Sequence, residues 1–575
     1  MISPILALCS ILPLSQAVYQ NSAEYSSGAL GASPAQSFHS VNYTVVDFNI
    51  NVPASSELSP GYLFLAPRGT DVATPAPLIM TNQGDLIWDG TEYGYTQSMA
   101  FQVSTYQQQG VITLWQGQFN GAGYGIGYGL VLDQGYNVVA NVTTTIEGSG
   151  VDFHEFYITD NDTALLTVYI NEEYDLTSYN VTTSDGSKGW ILGGAFQEIE
   201  VSTGEALFTW KSLDHVDPNL CHASPGDTGT ATTNPWDYFH INSIEKDNAG
   251  NYLISSRHCH AVYYISKDTG EILWSIGGKN STFTMGDKTN FEWQHMARWQ
   301  DNFTRINLFD NAATSWESDE TMARGLLLNI DQSNRSVTLE TEYLPWNQTV
   351  ASSQGSMELQ SNGNWLLGWG QNPFFSEYTS DGTLLSSTQF GVGNVQSYRV
   401  LRSEWIGYPS KTSPRISLNS NATTSQIDIY TSWNGATEVS SWQLLGSNST
   451  DIEGQTITQT NKTSFETKFS IDLSTLNTYQ WIQTKALNSN GSILGYSNFL
   501  SLNGDNSTET SNEQEKNQIT LGTSTPTFTS SIKASSTAAT TTGNSNSSKQ
   551  SNGQTRLMIN TGCVLLSMIS VAALL

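Results

Sequence analysis

Five strand starts of one kind recur along the chain, spaced so that each interval can hold about four short strands. They are Gln97-Ser98-Met99-Ala100-Phe101, Asp152-Phe153-His154-Glu155-Phe156, Asp237-Tyr238-Phe239-His240-Ile241, Phe291-Glu292-Trp293-Gln294-His295 and Gly355-Ser356-Met357-Glu358-Leu359. From Ser98 through His154, His240 and His295 to Ser356 the steps are 56, 86, 55 and 61 residues, about one four-stranded propeller blade each. A second motif marks hairpins: Asn82-Gln-Gly84-Asp, Ser202-Thr-Gly204-Glu, Asp268-Thr-Gly270-Glu and Ser380-Asp-Gly382-Thr, each followed by an apolar run. Polar residues and a glycine make the tight turn, and the apolar run re-enters a sheet. With Gly61 to Ala66 as the first inner strand, the expectation is an all-β, six-bladed β-propeller over residues 45–408. Seven or eight blades stay open if two have been merged. The longest unit carries an insertion from Asp214 to Asn234 that contains Cys221.

The rest of the chain reads differently. Residues 412–503 hold alternating runs around Trp433, Trp442 and Trp481, the pattern of a small fibronectin- or immunoglobulin-like β-sandwich. Residues 504–556 are rich in Ser, Thr and Asn and nearly free of aromatics, so a disordered stalk is expected. Residues 1–17 have an apolar core and a small-x-small end, as in a signal peptide. Residues 557–575 form a hydrophobic tail behind a polar spacer, which fits a GPI-attachment signal, with a transmembrane helix as the alternative. Fourteen Asn-x-Ser/Thr acceptors agree with secretion: Asn42, Asn141, Asn161, Asn180, Asn280, Asn302, Asn334, Asn347, Asn421, Asn448, Asn461, Asn490, Asn506 and Asn546. The expected location is the secretory pathway, then the extracellular face of the plasma membrane or the cell wall, with the membrane reached through a C-terminal lipid anchor. Cys9 and Cys563 fall in the terminal apolar segments. In an oxidising compartment Cys221 and Cys259 are then expected to form a disulfide.

A net charge of −29 argues against nucleic acid as a partner, and any site for an anion must bring its own local positive charge. Seven of the eight histidines lie between residues 154 and 295. A single histidine is more often structural than chemical. His154, His240 and His295, however, stand at equivalent points of a repeat, and a propeller would bring such points to one axis. Imidazole titrates near neutrality and can act as nucleophile, acid or base. Asn242, two residues after His240, is expected on the same strand face. Arg257 ends a strand-like run beside them, and its guanidinium fork suits an oxyanion. His258 and His260 share a face if that strand continues, which raises metal binding. No ligand spacing here matches a known metal motif, so no metal and no cofactor is expected.

Residues from about 60 to 405 resemble the arylsulfotransferase family, specifically a eukaryotic branch related to bacterial arylsulfate sulfotransferases. The matching segments are Asp152 to Phe156, Phe239 to Ile244 with Ile254 to His258, Lys267 to Gly277, and Trp293-Gln294-His295 followed by Asn307 to Asn311. The resemblance implies a six-bladed propeller that moves a sulfuryl group from an aryl sulfate to a phenol through a sulfohistidine, with no nucleotide donor. His295 would then be the nucleophile, and His154, His240, Asn242 and Arg257 would bind sulfate oxygens and handle phenolic protons. The chain departs from the bacterial pattern in lacking a large N-terminal sandwich, in its C-terminal additions and in the position of its cysteine pair. Two other readings stay open. One is a non-catalytic surface module that binds wall glycan or protein; the other is a propeller hydrolase or quinone-dependent dehydrogenase.

Overall fold

The computed structural model describes residues 18–54, 58–121, 123–183, 186, 188–419 and 425–502, all within one compact unit. The segment 1–17, the stalk 504–556, the tail 557–575 and the acceptors Asn421, Asn506 and Asn546 lie outside the described residues. Among the described residues no helix is long and apolar enough to cross a membrane. The fold is nearly all β.

Five antiparallel meanders follow one another. The first is Ser98–Tyr106, Gln109–Asn120, Tyr124–Leu132 and Val138–Val142; the second is Val151–Ile158, Thr163–Tyr174, Gly189–Glu200 and Ala206–Lys211. A single pairing, Gly127 with Val151, joins these two into one sheet. The third is Ile241–Lys246, Tyr252–Ser256, Ala261–Ile265 and Ile272–Gly277; the fourth is His295–Gln300, Arg305–Asp310, Arg324–Asp331 and Ser336–Tyr343. The fifth, Ser356–Leu359, Trp365–Gly368, Phe374–Tyr378 and Leu384–Gln389, gains Asn49–Val52 on its outer edge.

A sixth sheet joins the two ends of this region. Val400–Ser403 pairs with Tyr62–Leu65, which continues into Leu78–Met80 and Leu86–Asp89. Tyr62–Leu65 is therefore not the leading strand that the sequence predicts, because a strand from the far end of the region sits in front of it. The leading strands of successive sheets touch one another, and Val400–Ser403 touches both Ser356–Leu359 and Ser98–Tyr106.

Apolar residues fill the spaces between the sheets. Leu253, Val262, Trp274 and Ile276 of the third meander meet Ala297, Trp299, Leu308 and Leu326 of the fourth. Aromatic rings, which bury about 150–250 Å² each, do much of this filling. The four motif glycines all turn between the third and fourth strands of their sheets. Gly84, Gly204, Gly270 and Gly382 adopt φ of 89°, 77°, 75° and 87°, a region that side chains with a Cβ avoid.

After residue 412 two further sheets share one core. Arg415–Asn419, Gln426–Ser432 and Glu466–Asp472 face a sheet built on Ser441–Ser447 and Trp481–Leu487, with Ile429, Trp442, Leu444, Phe469 and Ile482 between them. This layer is bound to the rest of the unit. Asn434 Oδ1 accepts from the Asp89 amide at 2.8 Å, and the Tyr136 hydroxyl donates to the Gly435 carbonyl at 2.9 Å.

Candidate active site

The chemistry-bearing side chains come from one end of the sheets. His154 lies in the leading strand of the second meander, His240 just ahead of that of the third, and His295 begins that of the fourth. In each of these three strands, and in Ser98–Tyr106, the pairing register shifts near the start. Such bulges break the two-residue alternation and re-aim side chains. Backbone at positive φ gathers here too, at His240, His260, Trp293, Met296 and Gln354. Non-glycine residues are uncommon in that region and need surrounding structure to hold them there.

His154, His240, Arg257 and His295 all line one cavity of about 550 Å³. The rings of His154 and His240 lie 4.8 Å apart between centroids, and His240 and His258 4.6 Å. Tyr398 stands between the two sides, 5.6 Å from His154 and 6.2 Å from His295.

Two histidines are backed by carboxylates. Asp152 accepts from His154 Nδ1 at 2.6 Å and is itself held by the Gly125 amide and the Thr167 hydroxyl. Asp237 accepts from His240 Nδ1 at 2.5 Å. No described protein group hydrogen-bonds the Nε2 of either ring. His295 is backed by an amide instead. Asn311 Nδ2 donates to the Ala351 and Gln354 carbonyls, so its Oδ1 faces His295 Nδ1 at 2.7 Å and assigns the proton to Nδ1. The lone pair on His295 Nε2 accepts from the Gln354 amide at 3.2 Å.

Arg257 lies in the turn after Tyr252–Ser256. It donates through one Nη to His258 Nε2 at 2.8 Å and through the other to the Ser352 carbonyl at 2.9 Å. The face of Trp293 covers it at 5.3 Å, and its buried Nε–H has no partner. Burial lowers its pKa to about 10, so it stays charged at neutral pH.

Three of these imidazoles are held neutral. Burial pushes His240, His258 and His295 well below the usual value, and the Arg257 cation adds to the effect. Burial raises the Asp237 carboxyl, opposed by His258, His154 and Arg257. If the neutral rings are the working forms, protonation on acidification is what stops them. A depressed pKa delays that protonation to lower pH. In a kcat/KM profile the acid limb is therefore expected below about 6.5, the value of an unperturbed histidine. A limb centred at or above that value would contradict this assignment.

Two sequence expectations need correction. Asn242 does not line the cavity. It is fully buried, and its Nδ2 donates to the Gln294 carbonyl at 2.6 Å. His240 has a φ of 53° and precedes the strand, so the alternation that would put both residues on one face does not reach it. His258 and His260 do not share a strand face either. Residues 257–260 form a turn; His258 Nδ1 donates to the Asp237 carbonyl, whereas His260 stacks on His222.

Asp237, His240 and His258 bring donor atoms within 4.8 Å of one another, the chemistry of a cation site. As placed, the Asp237 carboxylate is engaged by His240 Nδ1, and the two ring nitrogens of His258 by the Asp237 carbonyl and Arg257. The 2.5 Å between Asp237 and His240 is shorter than the roughly 3.4 Å edge between two ligands of a tetrahedral ion with bonds near 2.1 Å.

Sequence reasoning assigned no role to Asp152, Asp237 or Asn311, although all three stand inside the motifs that carry the histidines. A carboxylate two or three residues before a histidine was the available signal. Gln354, Tyr398 and Arg68 also line the cavity and carry no comparable mark. Cys221 and Cys259 form a disulfide that ties the Asp214–Asn234 insertion, one wall of the cavity, to the 257–260 turn.

Residues 102–391 match the arylsulfotransferase (ASST) family, and the chain belongs to that family. Among curated proteins none matches the sequence. Three solved structures illustrate what the fold is similar to. A protein of unknown function from Bacteroides caccae is 13% identical with a TM-score of 0.34, over 59% of this chain and 98% of that one. A putative 6-phosphogluconolactonase from Bacteroides fragilis is 9% identical with a TM-score of 0.36, over 61% and 100%. The Cps50 (Swd1) beta-propeller domain of Myceliophteria thermophila is 9% identical with a TM-score of 0.26, over 58% and 93%. At these scores the likenesses carry no functional argument.

Proposed function

We propose that residues 45–408 form a six-bladed β-propeller enzyme that moves a sulfuryl group from an aryl sulfate ester to a phenol, by way of a sulfohistidine at His295 and with no nucleotide donor. The observation that carries this reading is the cavity itself. Three histidines meet an unpaired guanidinium donor there, in a chain of the arylsulfotransferase family.

In the first half-reaction His295 Nε2 leaves the Gln354 amide and attacks sulfur. The N–S bond forms, and the S–O bond to the ring breaks with its electron pair leaving on the phenolate, which takes a proton from water. In the second half the acceptor phenol gives its proton to Nε2 of His154 or His240 while its oxygen attacks sulfur. The N–S pair returns to His295, and the proton passes to solvent. The transition states resemble loose phosphoryl transfer, with charge on the peripheral oxygens, so positioning and charge stabilisation do most of the work. Arg257 supplies the charge.

The backing groups separate the roles. An Asp behind Nδ1 fixes the Nδ1–H tautomer of His154 and His240 and leaves each Nε2 lone pair open to accept a proton. The neutral Asn311 fixes the same tautomer in His295 without placing a charge behind the ring, and leaves the Nε2 lone pair available to attack. Asn242 acts behind the site by holding the Gln294 carbonyl next to His295.

The same reading makes the protein a glycosylated enzyme of the secretory pathway, on the extracellular face of the plasma membrane or in the cell wall. Residues 412–503 would be a fibronectin-like sandwich, 504–556 a stalk and 557–575 a lipid-anchor signal. The eleven acceptor asparagines that are described are all exposed, and the disulfide agrees with an oxidising compartment. The test is incubation with 4-nitrophenyl sulfate, with and without phenol. A sulfuryl adduct is expected on the peptide containing His295, and His295→Ala should lose transfer by at least about 10⁴-fold. An adduct on His154 or His240 instead would reassign the nucleophile; equal turnover by His295→Ala would sink it.

A further inference from the structure

The cavity contains a second guanidinium that the transfer chemistry does not use. Arg68 follows Tyr62–Leu65, and its backbone is fixed by two hydrogen bonds with Gln396, at 2.8 and 2.9 Å. Its guanidinium lies over the Phe119 ring at 5.2 Å. Its Nε–H is buried without a partner, and among the described residues no carboxylate or carbonyl accepts from its side chain. Among the described ionisable groups, it is the Tyr398 phenol that acts on it. Burial lowers it to about 10, so it is a cation at neutral pH. In a chain of net charge −29, a guanidinium lining a cavity with no counter-ion is an exception that calls for one.

What lies between Arg68 and the reacting groups gives the shape of that counter-ion. Phe119 stacks on Phe153 at 5.2 Å, and Phe153 stacks on His154 at 4.3 Å. A wall of two phenyl rings thus runs from a proton-carrying histidine to Arg68. Such a wall takes an aromatic ring, and its far end presents a charge-assisted fork suited to a carboxylate. Arg257, beside His258 and His240, is left for the sulfuryl oxygens.

We propose that Arg68 selects acidic aromatic substrates: phenols, and their sulfate esters, that carry a carboxylate on the side of the ring away from the reacting oxygen. This rests on reading the cavity as an aryl site and adds the substrate class. Arg68 is a specificity residue that touches no bond that is made or broken.

The test is calorimetric binding of two phenols to the full chain without any sulfate donor, so that no reaction occurs. 4-Hydroxybenzoate should bind about tenfold more tightly than 4-methylphenol, in line with a net charge-assisted hydrogen bond of about 1.5 kcal/mol. Arg68→Met should abolish the preference, and Arg68→Lys should retain part of it, which separates loss of charge from loss of fold. Equal binding by the native chain, or a preference that survives Arg68→Met, overturns the proposal. Transfer to each phenol is measured alongside. A carboxylate preference without transfer leaves Arg68 assigned and removes the sulfuryl reading; transfer without preference does the reverse.

Discussion

Glu155→Ala is expected to lower stability by about 3–5 kcal/mol, the largest loss from any single substitution near the site. Glu155 is fully buried, and one of its oxygens accepts from Arg399 at 2.7 Å. The other accepts from Arg399 at 3.1 Å and from Arg298 at 2.5 Å. These partners come from different sheets: Glu155 from the second meander, Arg298 from the fourth and Arg399 from the strand run that closes the sixth. Arg399 also donates to the carbonyls of His154 and Asn242. Burial alone would raise the Glu155 carboxyl, but Arg298 and Arg399 outweigh it and hold its pKa below the usual value. A depressed carboxylate adds stability above its unfolded pKa and loses it as pH falls through the folded one. Removing it takes the carboxylate from the buried Arg399 and the half-buried Arg298 and leaves them only carbonyl acceptors, so the expected cost is a large part of a typical 5–15 kcal/mol. The urea midpoint should fall with little change in slope. Glu155→Ala together with Arg399→Met should cost less than the separate losses combined, because the pair then leaves as a unit. An unchanged midpoint in the single variant would mean that the network contributes nothing net.

How much of this could be read from the sequence follows from what kind of interaction each feature uses. The repeat spacing and the turn glycines are local, and Gly84, Gly204, Gly270 and Gly382 adopt the left-handed backbone their motif predicts. The convergence of His154, His240 and His295 follows from the repeat. Asn242 shows where that logic stops. Alternation along a strand holds only on regular backbone, and the φ of 53° at His240 breaks it at the site. The leading strand of the sixth sheet was missed for a different reason. Val400–Ser403 pairs with Tyr62–Leu65 across more than 330 residues, and nothing local announces such a pairing. Arg68 and Tyr398 enter the cavity through that same closure.

Arg257→Ala is expected to reduce kcat/KM for sulfuryl transfer by about 10³-fold, near 4 kcal/mol of transition-state stabilisation, while leaving the urea midpoint almost unchanged. The stability expectation follows from its partners. Arg257 pairs directly with no carboxylate, and removing it leaves the Ser352 carbonyl and His258 Nε2 facing a cavity large enough for water. The rate expectation follows from the donor left over. Nε–H is buried and unpaired, the neighbouring imidazoles of His240, His258 and His295 are held neutral, and the second guanidinium of the cavity, Arg68, lies against Phe119. Negative charge moves onto the departing phenolate oxygen as the S–O bond opens, and a guanidinium beside that bond is worth more then than in the ground state, so most of the loss should fall on kcat and less on KM. Arg257→Lys should fall between, losing about 10–100-fold. A point charge cannot reach the Ser352 carbonyl, His258 and the anion in the fixed fork that a guanidinium provides. Guanidinium added to Arg257→Ala should restore part of the rate and add nothing to the native chain. A loss confined to KM, or one matched by a fall in the urea midpoint, would make Arg257 a binding or structural residue and remove it from the transition state.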